Sequence, residues 1–217
     1  MPGRSVTSNL LHFTSRCITS LEEKSQVDVI YTDLKAAFYK IDHTILLFKL
    51  SRLGISTQLV SWFESYLTER SLRVRLEGSV SSPFSNKSGV PQGSNLGPLL
   101  FILFFNDAAL VLGHGCKLVY ADDLKIYLAV RSLQDCYCLQ NLLSLFVEWC
   151  LKNKLTISVA KCQVITFHRT VNPILFDYHV EGVSLTRVNE VTDLGILMDA
   201  KMSFDLHRSA IISKATR

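Results

Sequence analysis

The chain has 217 residues, of which 48% are hydrophobic and 19% are charged, so it can bury a substantial core and is unlike a disordered segment. Its net charge of +4 is a mild basic bias, which is compatible with a polyanionic partner without indicating one. The most apolar stretch, Leu96 to Phe105, is too short to span a bilayer and is followed by Asp107. This pattern predicts a buried helix and no membrane association.

The six cysteines form no CxxC pair and have no histidine at zinc-binding spacing. Because neither a disulfide framework nor a zinc site fits this spacing, we expect reduced, partly buried thiols. Cys136 and Cys138 fall in a helical pattern and should point to different sides of the helix. The N-terminus has no apolar run long enough for a signal peptide. These features predict an intracellular protein of the nucleus or cytoplasm that is not secreted.

Helical and strand patterns follow one another without a repeating β-α unit, which predicts an α+β fold. Gly54 favours a left-handed turn after one helix, and Ser132 with Asp135 resembles a capping box that opens another. In chain order the elements are a helix at 5–21, a strand at 27–33, helices at 43–53 and 57–68, a strand at 71–77, a helix from 96, a hairpin at 116–130, a long helix to about 152, short strands over 155–204 and the start of a helix at 205–217.

Residues 71–77 alternate with period two, so that Leu72, Val74 and Leu76 share one face of the predicted strand. Arg73 and Arg75 share the other face. These arginines are candidates for contacting a nucleic-acid backbone, where cations add non-specific, salt-sensitive affinity. The alternative is an ordinary solvated strand face.

Two segments place carboxylates at the ends of apolar strands. Asp122 and Asp123 follow Tyr120 and Ala121 at the tip of the predicted hairpin, and Asp33 ends the strand that starts at Val27. Taken singly, the adjacent aspartates suit a solvated turn and Asp33 suits a helix N-cap. If the strands pair, the three carboxylates converge and could hold two divalent cations for phosphoryl or nucleotidyl transfer.

The loop Gly89 to Ser94 reads Gly-Val-Pro-Gln-Gly-Ser and precedes the apolar helix. Its proline stiffens the loop, Gly93 permits close backbone approach, and Gln92 offers both a donor and an acceptor. Such a loop could hold a base or a phosphate against a site. Alone, it also suits an ordinary connection in which Ser94 caps the next helix.

The order of these segments resembles the reverse transcriptases of non-LTR retrotransposons. YTDLKAAFYKIDH is similar to the family's first metal-binding motif, SGVPQGSNLGPLLFILFFND to its template- and nucleotide-contacting motif, and YADD to its second metal-binding motif. WCLKNKLTISVAKCQVITF and VTDLGILMD look like the two following palm motifs. The similarity runs from about Arg4 to the C-terminus.

The resemblance implies a role for each matching residue. Two Mg²⁺ ions, or Mn²⁺ in their place, would be held by Asp33, Asp122, the auxiliary Asp123 and the backbone carbonyl of Leu34. Phe38 would block a ribose 2′-OH, unless it is simply a core aromatic. Lys161 would neutralise or protonate the leaving pyrophosphate, unless it is a surface lysine. Further nucleotide and primer contacts would come from Gln92, Gly93, Tyr120 and Ala121.

The implied architecture is a polymerase palm, an antiparallel sheet backed by helices. We expect the palm core at about 27–168, a helix from the fingers side at 1–26, and a hairpin with the start of the thumb connection at 169–217. Most of the fingers, the thumb and an endonuclease domain are expected to be missing. Tyr39 and Ser158 depart from the family pattern, because an acidic or amide residue and an asparagine, respectively, are usual there.

The implied function is RNA-directed DNA polymerisation, with an RNA template, a DNA primer and deoxynucleoside triphosphates as partners. The alternative is a catalytically silent, nucleic-acid-binding palm fragment, the relic of a mobile element. An RNA-dependent RNA polymerase would also use two metals, but Phe38 disfavours it because an aromatic gate would exclude ribonucleotides.

Overall fold

The computed structural model describes residues 5–68, 70–113, 117–120 and 123–216. Backbone contacts divide the chain into two compact units. The sheet unit comprises Met1–Asp33, Leu112–Val147 and Ser158–Arg217, and the helical unit comprises Leu34–Val111 and Glu148–Ile157. Within the described residues the elements confirm an α+β fold, whereas the predicted palm boundaries stay a prediction.

Outside residues 71–77, the helices and strands lie close to the predicted ranges. The helices are α1 (Val6–Glu22), α2 (His43–Arg52), α3 (Thr57–Leu67), α4 (Leu96–Val111), α5 (Leu133–Lys152) and α6 (Asp205–Ala215). The strands are β1 (Gln26–Thr32), β2 (Ser71–Leu72), β3 (Arg75–Leu76), β4 (Ser79–Val80), β5 (Phe84–Ser85), β6 (Lys117–Tyr120), β7 (Asp123–Val130), β8 (Gln163–Phe167), β9 (His179–Val180), β10 (Val183–Ser184), β11 (Thr186–Val188), β12 (Glu190–Asp193) and β13 (Ile196–Asp199).

A five-stranded sheet forms the centre of the sheet unit, in the order β11-β8-β1-β7-β6. β1 pairs antiparallel with both β7 and β8, so it is central, and nearly all of its residues are buried. One face of the sheet packs against α1 and the β12-β13 hairpin. The shared core contains Phe13, Cys17, Val27, Val29, Tyr127, Ile165, Phe167, Val191 and Met198.

The helix starts follow local chemistry. Ser5 and Ser8 form a reciprocal capping box at the start of α1, since each side chain bonds the other residue's backbone N–H. Half of the predicted Ser132–Asp135 capping box is present: Asp135 accepts bonds from the backbone N–H and hydroxyl of Ser132, whereas the Asp135 N–H bonds the Ser132 carbonyl and not its side chain. Gly54 has the predicted positive φ, at 82°, directly after α2.

In the helical unit, α2 packs against α3 and α4. The buried face of α4 carries Gly97, Leu100, Phe101, Phe104, Phe105 and Ala108. Leu99, Ile102, Leu110 and Val111 are exposed, so α4, which was predicted to be a buried helix, is buried on one side only. The difference arises because an apolar sequence on every side does not by itself provide a partner for every side.

The prediction of one strand at 71–77 is wrong. Two strands of two residues each occupy this range, β2 paired with β5 and β3 paired with β4. All of their residues are exposed. Alternation favours a strand with one buried face, but here no layer covers Val74 and Leu76, and pairing is broken at Arg73 and Val74.

Within the described part of the chain, no helix combines the length and apolar character needed to cross a bilayer. The five cysteines in this part are all free thiols. Cys136 is buried and Cys138 is exposed, which confirms that they point to different sides of α5. Cys116 lies outside the described residues.

Candidate active site

Asp33 and Asp123 stand at the same end of two paired strands. β1 and β7 pair antiparallel from Gln26 opposite Val130 to Thr32 opposite Leu124. Continued by one residue, the same register brings Asp33 opposite Asp123. Asp123 also pairs with Tyr120 across the β6-β7 hairpin. The predicted convergence of these two carboxylates is therefore supported by strand pairing.

Both aspartates line one cavity of about 170 Å³ in the sheet unit. Side chains two residues apart on a strand point to the same face, so Asp33 shares a face with Tyr31, and Asp123 with Lys125. Tyr31 and Lys125 face each other across the strands and line the same cavity. Its other walls come from α1, β6, the segment around Lys161 and the β12-β13 hairpin.

The Oδ2 atom of Asp33 is shielded from solvent and accepts no hydrogen bond from any described residue. The Nζ atom of Lys161 lies 3.7 Å from it, at the edge of ion-pair range, and the lysine side chain is 72% exposed. Such an exposed pair contributes little energy. The Asp33 side chain as a whole is 38% exposed, so one of its oxygens lacks a partner on the edge of an open cavity.

The cavity also contains a largely buried polar network. Asp193, the last residue of β12, accepts hydrogen bonds at Oδ2 from Lys125 and, at 3.2 Å, from the Tyr31 hydroxyl. The Lys125 and Asp193 side chains are only 5% and 6% exposed. The Lys125 ammonium also lies 4.4 Å from the centre of the Phe13 ring.

Burial shifts the pKa values of the titratable groups in and beside this network. Burial lowers the pKa of Lys125, although Asp193 opposes the shift by stabilising the ammonium. Burial and the neighbouring Asp193 carboxylate both raise the pKa of Tyr31 well above its ordinary value, so its hydroxyl is a donor at neutral pH. Burial also raises the pKa of the nearby Cys17 thiol to about 12, which makes it an inert core group.

The donor set suits a hard divalent cation. Carboxylate oxygens are preferred ligands of Mg²⁺, and the unpartnered Oδ2 of Asp33 is an acceptor that a cation could satisfy. No group of three or more histidine, cysteine or acidic side chains forms a ready-made metal cluster among residues 5–68, 70–113, 117–120 and 123–216. Asp122, the second predicted ligand, and Ala121 lie outside the described residues.

Other predicted site residues belong to the helical unit. Phe38 is half-buried and stacks on the core residue Phe101, with ring centres 4.2 Å apart. It therefore makes the contact expected of a core aromatic, although the residue is only partly buried. Gln92 and Gly93 are exposed, and the Tyr39 hydroxyl donates to Gln92 Oε1 at 2.7 Å.

The loop before α4 is held at its start by close backbone packing and at its end by a hydrogen bond. Gly89 has a φ of +83°, and a Cβ there would lie 2.7 Å from the backbone of Phe38 and Tyr39. The Ser94 hydroxyl accepts from Gly97 N–H at 3.0 Å, which confirms the local helix cap. The cap and a binding role for the loop are compatible, since Gln92 and Gly93 project from it into solvent.

Tyr120 is exposed at the end of β6 and lines the cavity. Leu34 is buried in the helical unit, in an isolated bridge with Ile157, and its carbonyl as a metal ligand stays a prediction. Arg73 and Arg75 are exposed in the segment of the helical unit that contains β2 to β5, which we call the arm.

Sequence reasoning missed seven polar residues that line the cavity: Asn9, Tyr31, Thr32, Lys125, Gln163, Thr192 and Asp193. Asn9 lies on α1, and its Oδ1 atom is buried without a hydrogen-bond partner in the described structure. Tyr31 and Asp193 lie within the segments YTDLKAAFYKIDH and VTDLGILMD, but neither motif marks them as cavity residues. The one available signal is that Tyr31 and Lys125 stand two positions from Asp33 and Asp123 and so share their faces.

Residues 2–198 match the family described as "Reverse transcriptase (RNA-dependent DNA polymerase)". The chain belongs to the reverse transcriptase family. The RNA-directed DNA polymerase from mobile element jockey of Drosophila funebris is 30% identical over 202 residues, covering 89% of this chain and 22% of that protein. A probable RNA-directed DNA polymerase from transposon BS of Drosophila melanogaster is 27% identical over 217 residues, covering 96% of this chain and 24% of that protein.

These relatives confirm the resemblance to non-LTR retrotransposon reverse transcriptases. The chain spans less than a quarter of the length of either relative. Telomerase from Candida tropicalis, solved with a fragment of telomeric RNA, has the same fold with a TM-score of 0.59 over 92% of this chain and 32% of the telomerase chain. Its sequence is 13% identical, so this likeness concerns the fold alone.

Proposed function

We propose that this chain carries the catalytic centre of an RNA-directed DNA polymerase, which extends a DNA primer with deoxynucleotides on an RNA template. Membership of the reverse transcriptase family and the polymerase relatives support this assignment. The observation that carries it is the antiparallel pairing of β1 with β7, which ends one residue before Asp33 and one residue after Asp123, together with the cavity that both aspartates line.

Two Mg²⁺ ions at Asp33, Asp122 and Asp123 would lower the pKa of the primer 3′-OH and neutralise charge on the triphosphate. Asp33 fits this role because its Oδ2 has no hydrogen-bond donor in the described residues. The carboxylates hold the cations, and the buried strands behind them keep the oxygens fixed while charge develops. Leu34 contributes its backbone carbonyl in this proposal.

Other residues act on the substrates. The Lys161 ammonium, 3.7 Å from Asp33, supplies positive charge or a proton to the departing pyrophosphate. Tyr120, at the end of β6, together with Ala121 shapes the site around the primer terminus. The family motifs assign nucleotide selection to Phe38 and contacts with template and nucleotide to Gln92 and Gly93. Arg73 and Arg75 supply non-specific attraction for the nucleic-acid backbone.

Primer extension with Mg²⁺ on the purified chain tests the proposal. An RNA template with an annealed DNA primer and deoxynucleotides should give extended primers. Asp33→Asn keeps the shape of the side chain but removes the charge, so extension should fall by at least about 10³-fold. Asp177→Asn is the matched control, because Asp177 is an exposed aspartate of the same unit that does not line the cavity.

The outcomes separate the two functions considered for the sequence. Extension by the wild type and by Asp177→Asn but not by Asp33→Asn supports the polymerase. Salt-dependent RNA binding by all three proteins without extension by any of them would support the silent binding fragment instead. Equal extension by the wild type and Asp33→Asn would exclude Asp33 from catalysis.

A further inference from the structure

The strongest unexplained feature of the cavity is the carboxylate of Asp193. A single oxygen of this side chain accepts hydrogen bonds from Tyr31 on β1 and Lys125 on β7. Tyr31 and Lys125 are direct cross-strand partners. Asp193 therefore joins the two strands from the cavity side, in addition to the hydrogen bonds of the sheet itself.

Tyr31 and Lys125 are the nearest residues to the two aspartates on the same face of their strands. Tyr31 is two residues before Asp33, and Lys125 is two residues after Asp123, which is a distance of roughly 6–7 Å along each strand. Any change in the separation or twist of the Tyr31–Lys125 pair is carried directly to the next pair on that face. The next pair is formed by the proposed metal ligands.

The β12-β13 hairpin delivers Asp193 to this point. Leu194 and Gly195 both have positive φ, at 47° and 88°, and form the two-residue turn directly after Asp193. Behind the turn, Val191 and Met198 are buried in the core shared with α1 and the central sheet. The hairpin is thus anchored by apolar packing, and its tip extends into the cavity with the carboxylate.

The buried ion pair is a costly way to attach a hairpin. A buried pair repays its desolvation only when its geometry is good, and apolar replacements of similar size are often as stable. Apolar packing through Val191 and Met198 already attaches the hairpin to the sheet. An ion pair in this place has a further use in fixing the direction and distance of the strands that hold Asp33 and Asp123.

We propose that Asp193 is a positioning residue that sets, through Tyr31 and Lys125, the relative placement of the Asp33 and Asp123 carboxylates. This inference rests on the proposed function for the identity of the site, but its geometry is independent of turnover. It assigns the β12-β13 hairpin tip to the support of cation binding.

The decisive variant removes the pair without leaving a buried charge. Lys125→Met with Asp193→Leu deletes one positive and one negative side chain, so the net charge is unchanged. We expect its unfolding temperature to lie within a few degrees of the wild type. Asp193→Leu alone leaves the buried Lys125 ammonium without its carboxylate partner, so its unfolding temperature should be roughly 10 °C lower. Removing both charges of an exposed pair in the same unit, Arg131→Gln with Glu23→Gln, is the control.

Two readouts separate positioning from simple stability. The dissociation constant for Mn²⁺, measured by electron paramagnetic resonance, should rise about tenfold in the Lys125→Met, Asp193→Leu variant. Where the wild type extends primers, kcat should fall about 10- to 100-fold while KM for the primer–template changes less than threefold. The exposed-pair control should match the wild type in both.

A stably folded double variant with Mn²⁺ affinity and kcat within twofold of the wild type would overturn the inference. If the double variant does not fold, Tyr31→Phe decides, because it removes one donor and no charge. Its Mn²⁺ affinity and kcat should fall about threefold, and wild-type values in both would overturn the inference. If the wild type extends no primer, the proposed function fails, while the Mn²⁺ titration still decides the role of Asp193.

Discussion

The strand β1 and the arm formed by β2 to β5 both have apolar-rich sequences, but they differ in burial. β1 has a partner strand on each side and is buried along nearly its whole length. The strands of the arm are two residues long and exposed at every position. A surrounded strand can hold carboxylates in fixed positions, whereas the arm can offer only solvated charge.

This difference matches the chemistry proposed for each region. Asp33 and Asp123 must keep a constant separation to bind cations, and buried strands resist displacement because interiors are close-packed. Arg73 and Arg75 need no fixed geometry, because attraction to a phosphate backbone acts over several ångströms and tolerates motion. The proposed catalytic and electrostatic roles thus fall on the regions suited to them.

The largest expected effect is on stability, and it contrasts one residue from each region. Ile30 on β1 is 0% exposed, and Leu76 in the arm is 72% exposed. Ile30→Ala should lower the free energy of unfolding by about 2–5 kcal/mol, because it leaves a cavity in the core. Leu76→Ala should change it by less than about 0.5 kcal/mol. Urea unfolding of both variants measures the difference, and equal effects would break the contrast.

The second prediction compares two tyrosine hydroxyls. Tyr31 donates to buried Asp193, and exposed Tyr39 donates to Gln92. Tyr31→Phe should cost about 1.5–3 kcal/mol, since it removes a buried bond to a charged acceptor, and Tyr39→Phe less than about 1 kcal/mol. Thermal unfolding followed by calorimetry under the same conditions gives the change in the free energy of unfolding for both variants. A larger loss for Tyr39→Phe would contradict the assignment of the two environments.

The third prediction concerns Phe38 in the packed part of the helical unit. Phe38→Ala should reduce the preference for deoxynucleotides over ribonucleotides by about tenfold, because the bulk that excludes a 2′-OH is removed. It also loses the stack on Phe101, which should lower stability by roughly 0.5–1.5 kcal/mol beyond the lost apolar burial. The ratio of kcat/KM for the two nucleotides measures the first effect. Lost stability with unchanged discrimination would show that Phe38 is only a core aromatic.

The smallest expected effect is on salt dependence. Arg73→Gln with Arg75→Gln should leave unfolding unchanged but reduce the slope of log Kd against log salt for single-stranded RNA by about 1.4. The control pair Arg16→Gln with Lys24→Gln removes two exposed cations of the sheet unit and should leave the slope unchanged. A slope that responds equally to both pairs would indicate diffuse attraction rather than binding by the arm.

Much of this fold could be predicted from local sequence. The caps at Ser132 and Gly54, the hairpin around Asp123 and the strand before Asp33 depend on neighbours a few residues away, and all were located correctly. The strand at 71–77 failed because alternation does not reveal whether a covering layer exists. The cavity's polar network could not be predicted, since Asp193 is 68 residues from Lys125 and 162 from Tyr31.

The most direct test of the account is a Mn²⁺ titration of the wild type, Asp33→Asn and Asp123→Asn, followed by electron paramagnetic resonance. Because Asp33 and Asp123 line one cavity at the end of the paired strands β1 and β7, each substitution should weaken cation binding at least about tenfold, while Asp177→Asn should bind as the wild type does. Unchanged affinity in both site variants would contradict the assignment of this cavity as the polymerase metal centre.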